Sequence, residues 1–186
     1  MQCLTTTLPG VLELRPQISR DSRGFFVETY HSLRYPEFGI RDVFVQDNQS
    51  CSKKGVLRGL HYQLRNPQAK LCHVVEGEAL DVAVDIRLGS PNFGKWTSIH
   101  LTAEAQNQIY IPAGFAHGFL ALTDSVQFLY KCSAFYDRTD EYGILWSDPD
   151  LRIHWGVELP VVSERDAGYM TLAQVPSEFL PICPMK

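Results

Sequence analysis

LCHVVEGEALDVAVDIRLGSPNFGKWTSIHLTAEAQNQIYIPAGFAHGFLALTDSVQFLYKC, residues 71–132, is the stretch that decides the fold. It holds six short runs that are apolar or alternate apolar with polar: Leu71–Val75, Leu80–Ile86, Trp96–Leu101, Gln108–Ile111, Gly118–Leu122 and Val126–Cys132. Turn formers separate them: Glu76-Gly77-Glu78, Gly89-Ser90-Pro91, Pro112-Ala113-Gly114 and Thr123-Asp124-Ser125. Strand-length runs recurring every ~8–12 residues with this punctuation predict an all-β sandwich or barrel.

Working outward from this block, Val11–Pro16 alternates and reads as a strand whose proline suits a sheet edge. Asp21 to Thr29 reads as a turn followed by a strand that mixes aromatics with charges. His31–Phe38 is a short helix interrupted by Pro36. Val43–Asn48 is a further strand, and Ser50–Lys54 a polar loop. Towards the C-terminus one longer helix is expected over Glu164–Gln174. There is no internal repeat, low-complexity tract or linker. Residues 1–186 are therefore expected to form one domain, a jelly roll or related barrel with short peripheral helices.

The bulk numbers narrow the function classes. At 186 residues the chain can bury a core without staples. A formal net charge of -4 argues against bulk nucleic-acid binding, while a local basic pocket for a phosphate-bearing small molecule stays open. Five cysteines (Cys3, Cys51, Cys72, Cys132 and Cys183) are scattered and form no CxxC pair. That pattern suits a reduced cytoplasm better than a disulfide framework or a zinc site. No run approaches the ~18 apolar residues of a membrane span. The start MQCLTTTLPG shows no basic n-region followed by an apolar h-region, so no signal peptide is expected.

Chemistry concentrates in Gly55-Val56-Leu57-Arg58-Gly59-Leu60-His61-Tyr62-Gln63 and in Lys70 beyond it. A cation, an imidazole and an amide are interleaved with apolar residues, and in a strand His61 and Gln63 point the same way. The glycines at 55 and 59 permit sharp bends or close backbone approach. His61 has an intrinsic pKa of about 6.5, suited to a general base. Such an imidazole needs an orienting carboxylate on its other nitrogen, and Asp166 is a candidate. Ser163 followed three residues later by an acid also reads as a helix start, so spacing alone leaves Asp166 open to either role. Arg23 and Arg58 suit a phosphate clamp or plain surface charge.

A second cluster, Pro112-Ala113-Gly114-Phe115-Ala116-His117-Gly118-Phe119, resembles the PxGxxH element of cupins, a jelly-roll superfamily. In metal-binding cupins an HxH triplet supplies further ligands. Here the corresponding triplet is His61-Tyr62-Gln63, and an amide is a poor transition-metal ligand, so no metal or other cofactor is expected. His117 taken alone reads as a core histidine bonded to a neighbour such as Asp81.

Taken in order, Asp21-x-Arg23-Gly24-Phe25-Phe26, Val45-Gln46-Asp47-Asn48, the 55–63 segment, Ala69-Lys70-Leu71, Asp81–Arg87, Ile111–Phe119, Leu129-Tyr130-Lys131-Cys132 and Ser163-Glu164-Arg165-Asp166 resemble one family from about Leu8 to Asp166. It is the dTDP-4-dehydrorhamnose 3,5-epimerases, cupin-fold enzymes of dTDP-L-rhamnose biosynthesis, a supply line for cell-surface polysaccharide such as O-antigen. The resemblance implies inversion of C3 and C5 of dTDP-4-dehydro-6-deoxy-D-glucose without redox chemistry. It places His61 on the base, Asp166 on its partner, Tyr130 on the acid and Lys70 near the C4 carbonyl. Arg23, Glu28, Gln46, Asp47, Asn48, Arg58, Gln63, His117 and Glu141 fall at nucleotide-sugar contacts. Phe25 is similar to an aromatic that reaches the thymine from the partner subunit of a homodimer. Two positions depart from the family pattern. Phe135 stands where a tyrosine often stacks on the base, and Arg165 stands where a lysine is common. A C3-only or C5-only epimerase would share these motifs; a metal-dependent cupin or a non-catalytic sugar-nucleotide binder are the more distant alternatives.

Overall fold

The computed structural model describes residues 1–183; the last three positions of the expected domain lie outside the described residues. Its strands, in chain order, are β1 (Gln2–Thr5), β2 (Leu12–Arg15), β3 (Ile18–Asp21), β4 (Gly24–Val27), β5 (Gln46–Lys53), β6 (Leu57–Gln63) and β7 (Lys70–Glu76). They continue with β8 (Glu78–Asp85), β9 (Trp96–Thr102), β10 (Gln108–Ile111), β11 (Phe115–Ala121), β12 (Ser125–Cys132) and β13 (Glu141–Gly143). Two sheets face each other, one in the order β1-β2-β10-β7-β12-β5 and the other β13-β6-β11-β8-β9. Every pairing within them is antiparallel, as expected of the cupin-type jelly roll.

Period-two alternation explains the layers. The inner face takes Cys72 and Val74 from β7, Ala79 and Ala83 from β8, Phe115 and Phe119 from β11 and Phe128 from β12. Phe119 and Phe128 stack across the sandwich with ring centroids 4.0 Å apart, which ties the two sheets at their centre. The intervening residues Val82, Val84, Ala116 and Leu120 pack outward beneath Leu151, Trp155, Leu172 and Leu180 of the C-terminal segment. The whole of β11 is thus buried, which is why its sequence reads as a continuous apolar run. The outer face of the other sheet is covered by residues 30–44, with Tyr35 and Ile40 packed on Leu14, Leu71 and Tyr110.

Three expectations are corrected. The helix expected over Glu164–Gln174 is a single α turn, Glu164–Ala167 (α1), followed by a separate 3₁₀ turn at Leu172–Gln174. Gly168 caps α1 by donating to the Glu164 and Arg165 carbonyls, and the chain then turns back. Ser50–Lys54 is largely strand rather than loop: β5 begins at Gln46 and runs to Lys53, because its whole length pairs with β12. Within His31–Phe38 only the 3₁₀ turn Tyr35–Phe38 forms, with the proline at its first turn.

Candidate active site

A cavity of about 680 Å³ opens between the sheets at the end where β5, β6, β7 and β12 converge. His61 reaches it from β6 and His117 from β11, while Lys70 and Tyr130 reach it from β7 and β12 of the facing sheet. Asp166 arrives from α1. The four residues expected to carry the chemistry therefore line one compartment.

Arg58 lies three residues before His61, so an unbroken strand would send the two side chains to opposite faces. The β6–β11 ladder shifts register between them: His117 opposes His61, but Phe119 opposes Arg58. This bulge inserts one residue on β6 and returns Arg58 to the cavity face. Gly59 makes it sterically feasible. Its φ is +127°, and a Cβ there would stand 2.5 Å from the Cα of Gly118. Arg58 is held by Nε donating to Ser52 Oγ at 3.0 Å.

His61 and Asp166 are directly bonded, with Nε2 and Oδ1 2.7 Å apart. The other Asp166 oxygen accepts from the Gly59 N–H at 3.3 Å. Burial alone would raise the Asp166 pKa, but the hydrogen bond and charge of His61, with the Gly59 N–H, hold it below the usual carboxylate range. Ser163 also caps α1 by accepting from the Asp166 N–H, so the helix-start reading and the carboxylate's contact with the imidazole coexist in one turn. With Nε2 engaged, Nδ1 is the nitrogen left for substrate, and the nearest acid to it is Glu141 at 4.0 Å. Glu141 is in turn bound by Arg165 and by the Tyr136 hydroxyl. The Tyr130 phenol is half-buried, and burial pushes its pKa up to about 12.

Gln46, Asn48 and Glu141 line the cavity as expected, and so does Arg165. Other residues are placed elsewhere. Asp47 alternates to the opposite face of β5 and pairs with Lys131 at 2.9 Å. Gln63 borders the cavity, but its amide is fully used: it donates to the Asn66 and Phe135 carbonyls and accepts from the Asp137 N–H. It braces two loops. Phe135 is 70% exposed and is not a lining residue; the next residue, Tyr136, is. Arg23 and Phe25 lie on the two-stranded β3–β4 hairpin away from the cavity, with Arg23 on Asp21, and Glu28 pairs with Arg34. Ser50, Gln68, Tyr136 and Ser163 are lining residues that sequence reasoning missed. Ser50 was within reach, because it continues the period-two series Gln46, Asn48.

Three buried side chains, Cys72, Asp81 and His117, of which His117 lines the cavity, have ligand-type atoms within 4.8 Å of one another. His117 Nε2 lies 2.9 and 3.1 Å from the two Asp81 oxygens, and burial holds the imidazole towards its neutral form. Burial also pushes the Cys72 thiol well above its ordinary value. The donor set fits a hydrogen-bonded His–Asp pair beside an apolar thiol better than a metal centre.

A family profile described as dTDP-4-dehydrorhamnose 3,5-epimerase matches residues 5–174. A dTDP-4-dehydrorhamnose 3,5-epimerase from Shigella flexneri is 50% identical over 168 residues, covering 89% of this chain and 93% of the relative. Among solved structures, a dTDP-6-deoxy-D-glucose-3,5-epimerase from Legionella pneumophila, in complex with dTDP-4-keto-L-rhamnose, is similar with a TM-score of 0.96. It is 45% identical, and the match covers 99% of each chain. A 3′-monoepimerase from Streptomyces bikiniensis, in complex with dTDP-quinovose, has a TM-score of 0.89 at 36% identity, covering 95% of this chain and 91% of that one.

Proposed function

The chain belongs to the dTDP-4-dehydrorhamnose 3,5-epimerase family, and on that premise we propose that it inverts C3 and C5 of dTDP-4-dehydro-6-deoxy-D-glucose, giving dTDP-4-dehydro-L-rhamnose. The observation that carries this reading is the placement of His61 and Tyr130 on facing sheets across one cavity. Both reacting carbons flank the C4 ketone, so loss of either proton gives an enolate whose charge rests on the C4 oxygen. Inversion requires the new proton on the opposite face, which a single residue cannot supply without a large movement. Sheets about 10 Å apart suit a sugar ring held between a base on one side and an acid on the other.

In this reading Asp166 accepts from Nε2–H, leaves the Nδ1 lone pair free to take the substrate proton, and stabilises the imidazolium that results. Tyr130, protonated at neutral pH with a pKa of about 12, returns a proton from the six-stranded sheet. Lys70 stabilises the enolate oxygen, as a fixed charge in a water-poor site does. Arg58 and Arg165, on the cavity wall, take the diphosphate, and Gln46, Asn48 and Tyr136 bound the nucleotide end.

The β3–β4 hairpin suggests the assembly. Phe25 and Phe26 are 53% and 74% exposed there beside Arg23, and with no route into their own chain's cavity they would serve that of a second copy, in a homodimer. No helix among the described residues is long and apolar enough to cross a membrane. Five unpaired cysteines favour work in a reducing cytoplasm, on a route to dTDP-L-rhamnose and cell-surface polysaccharide. Incubation with dTDP-4-dehydro-6-deoxyglucose in deuterium oxide with a chelator present tests the core reading. Deuterium at both C3 and C5 supports it, deuterium at one carbon makes the chain a single-site epimerase like the Streptomyces bikiniensis relative, and no exchange overturns it.

A further inference from the structure

Beside His61 lies an aromatic ring to which the chemistry above gives no part. Gly143 is the β13 partner of His61 in the ladder, so the position flanking the imidazole carries no side chain. Tyr169 fills that space. A Cβ built on Gly143 would fall 2.2 Å from Tyr169 Cε2 and 2.4 Å from Cζ, so the ring lies directly on the backbone. The glycine is demanded by this contact rather than by its own conformation, since its φ is not in the left-handed region. From this seat the ring meets the His61 imidazole in edge-to-face geometry, with centroids 5.9 Å apart and planes at 73°. The Arg165 guanidinium also lies over the ring, 5.9 Å from its centroid. The backbone around it is pinned, because Gly168 caps α1 and the Leu145 N–H donates to the Met170 carbonyl at 2.8 Å.

The hydroxyl tells the same story by default. Tyr169 Oη is buried and has no hydrogen-bond partner among the described residues. A buried hydroxyl left unpaired is unfavourable, so the packing that keeps this residue in place acts through the ring.

We propose that Tyr169 is a positioning residue: its ring, seated on Gly143, holds the His61 imidazole in line with Asp166 and keeps water from that bond. The assignment rests on His61 being the base. The imidazole keeps its orientation only if its ring cannot rotate, and Asp166 alone constrains just one of its nitrogens.

The test compares Tyr169→Phe, Tyr169→Leu and Gly143→Ala, with melting curves recorded for each. Tyr169→Leu and Gly143→Ala are expected to lower kcat by about 10- to 100-fold with KM within about twofold, the scale of a misplaced catalytic group. Tyr169→Phe is expected to rescue turnover relative to leucine and to melt no lower than the parent, since it loses only an unpaired hydroxyl. The ¹⁵N resonances of the His61 ring, read without substrate, give a second signal independent of turnover. One dominant tautomer in the parent and the phenylalanine variant, with averaging in the other two, is the expected pattern. Unchanged ring resonances and kcat in both Tyr169→Leu and Gly143→Ala overturn the proposal, as does a phenylalanine variant as impaired as leucine. If instead His61→Asn still exchanges deuterium, the assignment of the base fails while the ring spectra continue to report on Tyr169.

Discussion

Replacing Asp166 by asparagine isolates the electrostatic part of the site while keeping its shape. The carboxylate serves two donors, His61 Nε2–H on Oδ1 at 2.7 Å and the Gly59 N–H on Oδ2 at 3.3 Å. Asparagine has one acceptor oxygen, so it can satisfy only one of them. If the oxygen faces His61, the tautomer survives but the imidazolium formed on proton abstraction loses its counter-charge. Unit charges about 4 Å apart at an effective dielectric of about 20 interact by about 4 kcal/mol, and the Asp166 side chain is only 6% exposed. Allowing for the neutral hydrogen bond that remains, the loss is about 2–4 kcal/mol, or roughly 30- to 1,000-fold in the exchange rate. If the oxygen turns to Gly59, the ring presents Nδ1–H to the substrate and cannot act as a base. The loss then approaches the ~10⁴ found when a triad aspartate becomes asparagine. The assay is deuterium incorporation at C3 and C5 by NMR under single-turnover conditions, with the melting transition recorded in parallel. A folded Asp166→Asn variant exchanging within about threefold of the parent would refute the idea that this carboxylate governs the base.

Four other outcomes follow from the geometry. Tyr130→Phe should keep deuterium exchange at the abstracted position but lose inversion, read by the stereochemistry of the product; normal inversion removes Tyr130 as the opposing acid. Lys70→Ala should lower kcat more than it raises KM if the ammonium is felt mainly by the enolate, and a pure binding defect contradicts that role. Gly59→Ala places a Cβ 2.5 Å from Gly118 Cα and 2.8 Å from the His117 carbonyl at a positive φ. Strain and overpacking together should cost roughly 2–6 kcal/mol in urea unfolding, and near-parental stability would show that the bulge tolerates a side chain. The fully buried Asp140 accepts from the Arg65 and Asn66 N–H groups and from Arg65 Nε. Burial pushes its pKa up, but these bonds outweigh burial and hold it below the usual range. A depressed folded pKa contributes stability above the unfolded value of about 3.9 and loses it as pH falls through the folded one. Melting temperature against pH should therefore fall less steeply on the acid side in Asp140→Asn, and an identical acid slope would refute the assignment.

The strands of the 71–132 block were legible because each buries one or both faces, and burial leaves a period of two or an apolar run in the sequence. His61, Lys70, Tyr130 and Asp166 were legible through the family motifs that contain them. The strand at Ser50–Lys53 was not, since its polar residues record a cavity-facing edge rather than a turn, and only the β12 ladder reveals it. The helix over Glu164–Gln174 was overread because a cap and a few good helix formers do not show where the chain must turn back to cover β13.

Composition and period thus determined by themselves the all-β class, and the motifs supplied the family and the proposed acid–base set. Tertiary structure alone decided which side of each strand those residues occupy. The β6 bulge put Arg58 beside His61, the alternation of β5 turned Asp47 away, and Gln63 was committed to bracing loops. It also brought Tyr169 onto Gly143 and against His61. The reason is physical: period and propensity are properties of a local chain, whereas register, close approach and hydrogen-bond satisfaction are settled between segments that meet only when the sheets close.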